Sequence, residues 1–206
     1  MKITLYGNQG GNQMKITAGS GAGSGSGAHA GATAPMPIKL IPENKLQKRV
    51  SELGNQINEY YAGISEPLIL LIVMDGAMVF GSDLMRRISI PFQVETIKCK
   101  SYKDGTSSGK LKIIKDKARD KLLRQRQVLI VEDIIDSGLT IRSLLPTLPA
   151  DASIRVVSLL ERVDPRTMRD EVADWLGFKI PPGFVFGYGL DDADGTERGL
   201  KDVWVR

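Results

Sequence analysis

The segment VLIVEDIIDSGLT, Val128 to Thr140, constrains the fold of this chain more than any other. Its apolar opening suits a strand covered on both faces. Glu132, Asp133 and Asp136 follow directly, and acids rarely follow a core strand without a purpose. Ser137, Gly138, Leu139 and Thr140 then open a helical repeat, with Ser137 as a candidate N-cap. Such a helix start can cradle a phosphate monoester: backbone N–H groups and two hydroxyls face it, the helix dipole favours negative charge, and Gly138 admits the backbone closely. The adjacent Glu132 and Asp133 can accept hydrogen bonds from two neighbouring sugar hydroxyls. Asp136 lies past the turn, where it faces another part of the ligand, such as a base ring, and is the acid/base candidate. An isolated ED or SG dipeptide would read as a solvated acidic turn with a serine cap; the whole string reads as a ligand site.

The rest of the chain alternates strands and helices. A helix is expected over Glu43 to Tyr61, where Leu46, Val50, Leu53, Ile57 and Tyr60 recur at helical spacing. After Pro67, LILLIVM reads as a doubly covered strand, and GAMVFGSDLMRRI as a helix beyond a glycine turn. PFQVETIKCKSY alternates partly like a strand, KDGTSSGKLKIIK is a polar excursion returning through a second one, and KDKARDKLLRQRQ is a charged cluster. ASIRVVSLLERV, FVFGYGL and KDVWVR supply later strands. The expected class is α/β, with a central, mainly parallel sheet flanked by helices and ligands held at the carboxyl ends of its strands.

Residues 1–36 look foreign to this pattern: MKIT and GNQ each occur twice before a Gly/Ser/Ala run. They read as an added or flexible leader, with a strand pair from MKITLY and MKIT as the second reading. Residues 37–206 form the domain, whose size fits one main hydrophobic core.

A net charge of +4 and the absence of a basic helix with interleaved aromatics do not indicate nucleic-acid binding. Cys99 is the only cysteine and His29 the only histidine, so any metal must be held by oxygen. The longest strongly apolar run, Leu68 to Met74, is too short for a bilayer, and the cytoplasm is the expected location.

VLIVEDIIDSGLT resembles the PRPP-binding signature of type I phosphoribosyltransferases, specifically the hypoxanthine-guanine group. The resemblance runs from Pro67 to Arg206, through PLILLIVMDGAMVFGSDL, Ser101 and Tyr102, SLLERVDPR and GFKIPPGFVFGYGLDD. It implies a Mg²⁺-dependent purine salvage enzyme in which a 6-oxopurine attacks the anomeric carbon of PRPP, pyrophosphate leaves, and IMP or GMP forms. The family's fold adds a small hood, built from N- and C-terminal segments, and commonly assembles as dimers or tetramers.

Carried over residue by residue, Glu132 and Asp133 hold ribose hydroxyls and serve the metal, Asp136 exchanges a proton with the base, and Ser137 to Thr140 bind the 5-phosphate. Met74, Asp75 and Gly76 take the position of the pyrophosphate loop, often of unusual peptide geometry, and Arg198 that of a second pyrophosphate contact. Ser101 and Tyr102 begin the mobile lid. Arg162 faces the 6-oxo group, Phe184 stacks on the purine, Val185 offers a backbone group at its 2-position, and Asp191 sits near a second Mg²⁺. Three departures stand out. Asp75 is an acid where many relatives have Lys or Arg, Arg162 replaces a Lys, and the GLDDADGTERGL stretch is one residue longer and lacks the usual aromatics. Its Asp192 and Asp194 read as a solvated acidic turn, and Arg162 alone as an ion pair with Glu161 or Asp164. A PRPP- or nucleotide-sensing regulator on the same fold is the alternative function.

Overall fold

The computed structural model describes residues 2–8, 11–17, 36–101, 111–114, 116–163, 172–192 and 194–206. β1 (Lys2–Asn8) and β2 (Gly11–Thr17) form an antiparallel hairpin, so the strand pair is the reading realised for this part of the leader. Residues 18–35 lie outside the described residues. β3 (Ile38–Ile41) leads into α1 (Glu43–Tyr60).

Leu46, Val50, Leu53 and Ile57 of α1 are buried, as their spacing requires, but Tyr60 is 53% exposed and Tyr61 is buried instead. The helix ends at Tyr60. Tyr61 is the C-cap, its N–H still donating to the Ile57 carbonyl at 3.0 Å, and it lies four residues after Ile57, so it keeps to the inward face that Tyr60 leaves.

β4 (Leu68–Met74), α2 (Met78–Met85) and β5 (Phe92–Ser101) follow, and β6 (Leu111–Ile113) returns antiparallel to β5. The charged cluster contains a helix, α3 (Lys117–Leu123), capped by the Asp116 carboxylate, which accepts from the N–H groups of Ala118 and Arg119 at 2.8 and 3.2 Å. β7 (Gln127–Ile135), α4 (Leu139–Leu144) and β8 (Ser153–Arg162) come next. β9 (Trp175–Ile180) is a strand that the sequence pattern did not single out, and β10 (Val185–Phe186) and β11 (Val203–Val205) close the chain.

The main sheet has the order β1-β2-β9-β8-β7-β4-β5-β6, in which β9, β8, β7, β4 and β5 run parallel. Leu68, Leu70 and Ile72 of β4 pack with α1, Phe80 and Leu84, while Ile69, Leu71 and Val73 pack on the opposite face with Ile141 and Leu144. Cover on both faces explains the unbroken apolar run. From β4 the chain moves outward to β5 and β6, then returns to the other side of β4 for β7. This reversal opens a crevice over the carboxyl ends of β4 and β7. β10, β11 and β3 form a separate antiparallel sheet that joins the two ends of the domain. Among the described residues, no helix is long and apolar enough to cross a membrane.

Candidate active site

A cleft of about 440 Å³ lies at that reversal, lined by residues 132–141 together with Asp191. β7 stays buried through Val131, and its last turnward residues then present polar groups. Glu132 is buried, and its Oε2 has no hydrogen-bond partner among the described residues. Burial, and then the neighbouring Asp133, push the Glu132 carboxyl well above the usual carboxylate range. Burial raises Asp133 as well, against the hydrogen bond from Glu132, the Ile134 N–H at 2.8 Å and the charge of Arg198.

Beyond them the backbone turns. Gly138, at φ +72°, holds the cap position of α4, and the Ser137 hydroxyl accepts from Leu139 N–H at 3.2 Å. The expected Ser137 N-cap is therefore displaced by one residue: the left-handed turn must be completed by a residue without a Cβ before the helix can start. Arg142 donates to the Ser137 carbonyl at 3.0 Å and fastens the turn. The amides of Thr140 and Ile141 precede the first intrahelical bond, Arg142 N–H to the Gly138 carbonyl, and have no intrahelical acceptor, which leaves them to an anion.

The loop after β4 meets this cradle directly. A Cβ on Gly76 would lie 1.7 Å from Asp133 Oδ2, so only glycine lets the loop pass beneath that carboxylate. The Met74–Asp75 peptide is cis, the unusual geometry expected there. Asp75 turns to Lys98, whose Nζ lies 3.1 and 2.9 Å from its two carboxylate oxygens.

Arg198 reaches the same corner. Its guanidinium pairs with Asp191 at 2.7 Å and donates to the Gly189 carbonyl at 2.6 Å. Gly189, at φ +100°, abuts the loop, since a Cβ there would stand 2.4 Å from the Gly76 carbonyl oxygen. Tyr188 anchors this hairpin by donating its hydroxyl to Asp83 of α2 at 2.6 Å. The reading of Asp192 as solvated is corrected: it is buried, pairs with Arg206 at 2.7 Å and accepts from Asp194 N–H at 3.0 Å, because the lengthened turn folds back onto the C-terminus. Asp194 itself is exposed.

On the base side, Arg162 Nε stands 3.6 Å from Asp136 Oδ1, so its ion-pair partner is the acid/base candidate and not Glu161; Asp164 lies outside the described residues. Phe184 is 46% exposed and Val185 is buried. Among the described residues, neither of these nor Arg162 is part of the cleft wall around residues 137–140. Ser101 ends β5, and Tyr102 lies outside the described residues. Sequence reasoning missed Lys98 and Gly189. The parallel register that sets Met74 opposite Lys98 could not be read from β5 alone, although the glycines flanking Tyr188 signalled a special backbone.

Residues 42–193 match the family model described as phosphoribosyl transferase domain. A hypoxanthine-guanine phosphoribosyltransferase of Mycobacterium avium is 42% identical over 159 residues, covering 74% of this chain and 77% of its own length. The hypoxanthine phosphoribosyltransferase of Salmonella typhimurium is 38% identical over 158 residues, covering 75% and 86%. Among solved structures, the Trypanosoma cruzi hypoxanthine phosphoribosyltransferase in complex with the product IMP superposes with a TM-score of 0.69 at 34% identity, covering 81% of this chain and 92% of that one. The central parallel sheet flanked by helices agrees with these matches, and the chain belongs to the phosphoribosyltransferase family, in its hypoxanthine-guanine group.

Proposed function

We propose that this protein transfers the 5-phosphoribosyl group of PRPP to hypoxanthine or guanine, releasing pyrophosphate and forming IMP or GMP. One observation carries the reading: Glu132, Asp133, Asp136 and residues 137–140 line a single cleft with Asp191. In the reaction a purine nitrogen forms a bond to the anomeric carbon as the bond to the pyrophosphate oxygen breaks. Positive charge develops on the sugar while negative charge collects on the leaving group. Catalysis then comes from positioning and pre-placed charge, with no covalent enzyme intermediate.

In this reading Glu132 and Asp133 accept from the ribose hydroxyls and hold negative charge beside the electron-poor ring. The turn 137–140 binds the 5-phosphate, and the loop 74–76 with Arg198 receives pyrophosphate. Asp136 takes up or returns the proton on the imidazole side of the base. Its ion pair with Arg162 brings a cation to the same end of the site, where a guanidinium, a donor only, matches a 6-oxo group and opposes a 6-amino group. The exposed Phe184 ring offers a stacking face, and Val185 a backbone group. A lid beginning at Ser101 and Tyr102 would exclude water during the transfer.

The residues fit Mg²⁺. The cleft acids Glu132, Asp133 and Asp191 are oxygen donors, and Glu132 Oε2 is buried without a partner. Among the described residues, no cluster of three or more His, Cys, Asp or Glu is arranged to hold a metal alone, which suits an ion bound partly by substrate oxygens. When bound, Mg²⁺ neutralises charge on the pyrophosphate leaving group. The proposal extends to a cytoplasmic homo-oligomer, a dimer or tetramer, which sedimentation analysis tests.

Mixing the protein with PRPP, Mg²⁺ and, separately, hypoxanthine, guanine, xanthine or adenine tests the activity. Nucleotide and pyrophosphate should appear with hypoxanthine, guanine or both. Binding of PRPP with no product from any base would favour the regulatory alternative.

A further inference from the structure

Asp75 places a carboxylate in a loop that receives an anion, and a lone acid there would repel pyrophosphate. The fold answers this through the neighbouring strand. β4 and β5 pair in parallel with Met74 opposite Lys98, so the chain leaves the sheet at residue 75 beside that lysine. Lys98 Nζ sits across both carboxylate oxygens, at 3.1 and 2.9 Å. An ammonium carries three protons, so at least one stays available for another acceptor. The two side chains are 44% and 45% exposed, and neither is sealed from an incoming ligand. Lys98 also lies on the strand that ends at Ser101, where the expected lid begins.

We propose that Lys98 is a second cation, beside Arg198, that contacts the departing pyrophosphate in this chain, and that Asp75 both positions it and limits how tightly the product is kept. The assignment rests on the transferase reading above. A loop lysine would offer the anion a full positive charge. The Asp75–Lys98 pair offers a neutral unit with a free donor, which binds the product while letting it go.

The two members of the pair must then act with opposite sign. Lys98→Met leaves Asp75 uncompensated and should raise the KM for pyrophosphate in the reverse reaction, IMP plus pyrophosphate, about tenfold. Asp75→Asn frees the ammonium and should lower that KM about threefold, the half-exposed setting keeping both effects moderate. The KM for IMP should move by less than about twofold in either variant, and raised salt should shrink both shifts. A purely structural pair would instead move both constants in the same direction in both variants.

Pyrophosphorolysis kinetics on wild type, Lys98→Met, Asp75→Asn and the double variant decide the matter. The double variant, which loses the donor and the repulsion together, is expected to have a pyrophosphate KM between those of wild type and Lys98→Met. An unchanged pyrophosphate KM in both single variants, or a rise in both, overturns the assignment. If Lys98→Met fails to fold, Asp75→Asn decides alone: a lowered pyrophosphate KM supports the assignment and any other result ends it. If the wild-type protein forms no nucleotide, the transferase reading fails and takes this assignment with it. If wild type is active and only the pyrophosphate constants stay fixed, this assignment alone fails.

Discussion

Replacing Gly189 by alanine tests whether the Asp191–Arg198 hairpin is held against the loop at 74–76 by direct backbone contact. Two costs add at this position. The residue sits at φ +100°, where a side chain costs on the order of 1–2 kcal/mol. The new Cβ would also lie 2.4 Å from the Gly76 carbonyl oxygen and 3.2 Å from Val79 Cβ. Optimal contact between heavy atoms is about 3.5 Å, so the two backbones must part by roughly 1 Å. Overpacking of this kind costs about 1–3 kcal/mol more. Gly63 supplies the control, since it has φ +81° but nothing within 4 Å of a built Cβ. Gly63→Ala should show only the dihedral cost and wild-type kinetics. Gly189→Ala should lose roughly 2–5 kcal/mol in all, a Tm drop on the order of 5–15 °C for a domain of this size. Its KM for PRPP should rise about tenfold or more, because Arg198 and Gly76 no longer meet at the set distance. Thermal and urea unfolding measure the first effect and steady-state kinetics the second. Gly189→Ala as stable as Gly63→Ala, with an unchanged KM for PRPP, would refute the contact argument.

Other substitutions probe separate links. Asp136→Asn should reduce kcat by about 10²–10⁴ while PRPP binding by calorimetry changes little; equal activity would remove Asp136 from proton transfer. Phe80 is fully buried in the core under α1 and β4, and Phe80→Ala should cost about 3–5 kcal/mol in urea unfolding, whereas a loss under 1 kcal/mol would show that this core collapses around the gap. Burial first, and then the Glu132 carboxylate, push the Cys99 thiol up to about 11. A thiol raised in this way is protonated at neutral pH and gains thiolate only as the pH climbs toward that value, so iodoacetamide at pH 7.5 should modify the folded protein far more slowly than the urea-unfolded chain. Equal rates would contradict that environment.

Local chemistry made much of this molecule legible. The apolar run of Leu68–Met74 announces a doubly covered strand, and the acids after Val131 mark the strand end that lines the cleft. Helix α1 was visible up to its last turn, where the spacing after Ile57 allows either Tyr60 or Tyr61 to face inward and packing selects Tyr61. The helix at Lys117–Leu123 had a readable cap in Asp116, hidden among charges that mask its buried Arg119 and Leu123. β9 gave no alternating signal, since it is buried where Gly177 passes against the Leu159 carbonyl.

What sequence alone determined were the contents of the cleft that lie close together along the chain: the acids, the glycine turn and the hydroxyls from 132 to 140, whose spacing is set by covalent geometry. Only tertiary structure decided which distant groups complete it. Strand register brings Lys98 to Asp75, a hairpin packed on the loop brings Arg198 to Asp191, and a fold-back of the C-terminus buries Asp192 against Arg206. Such pairings depend on how whole elements stack, and a parallel sheet places neighbours in space that are separated by a crossover in sequence.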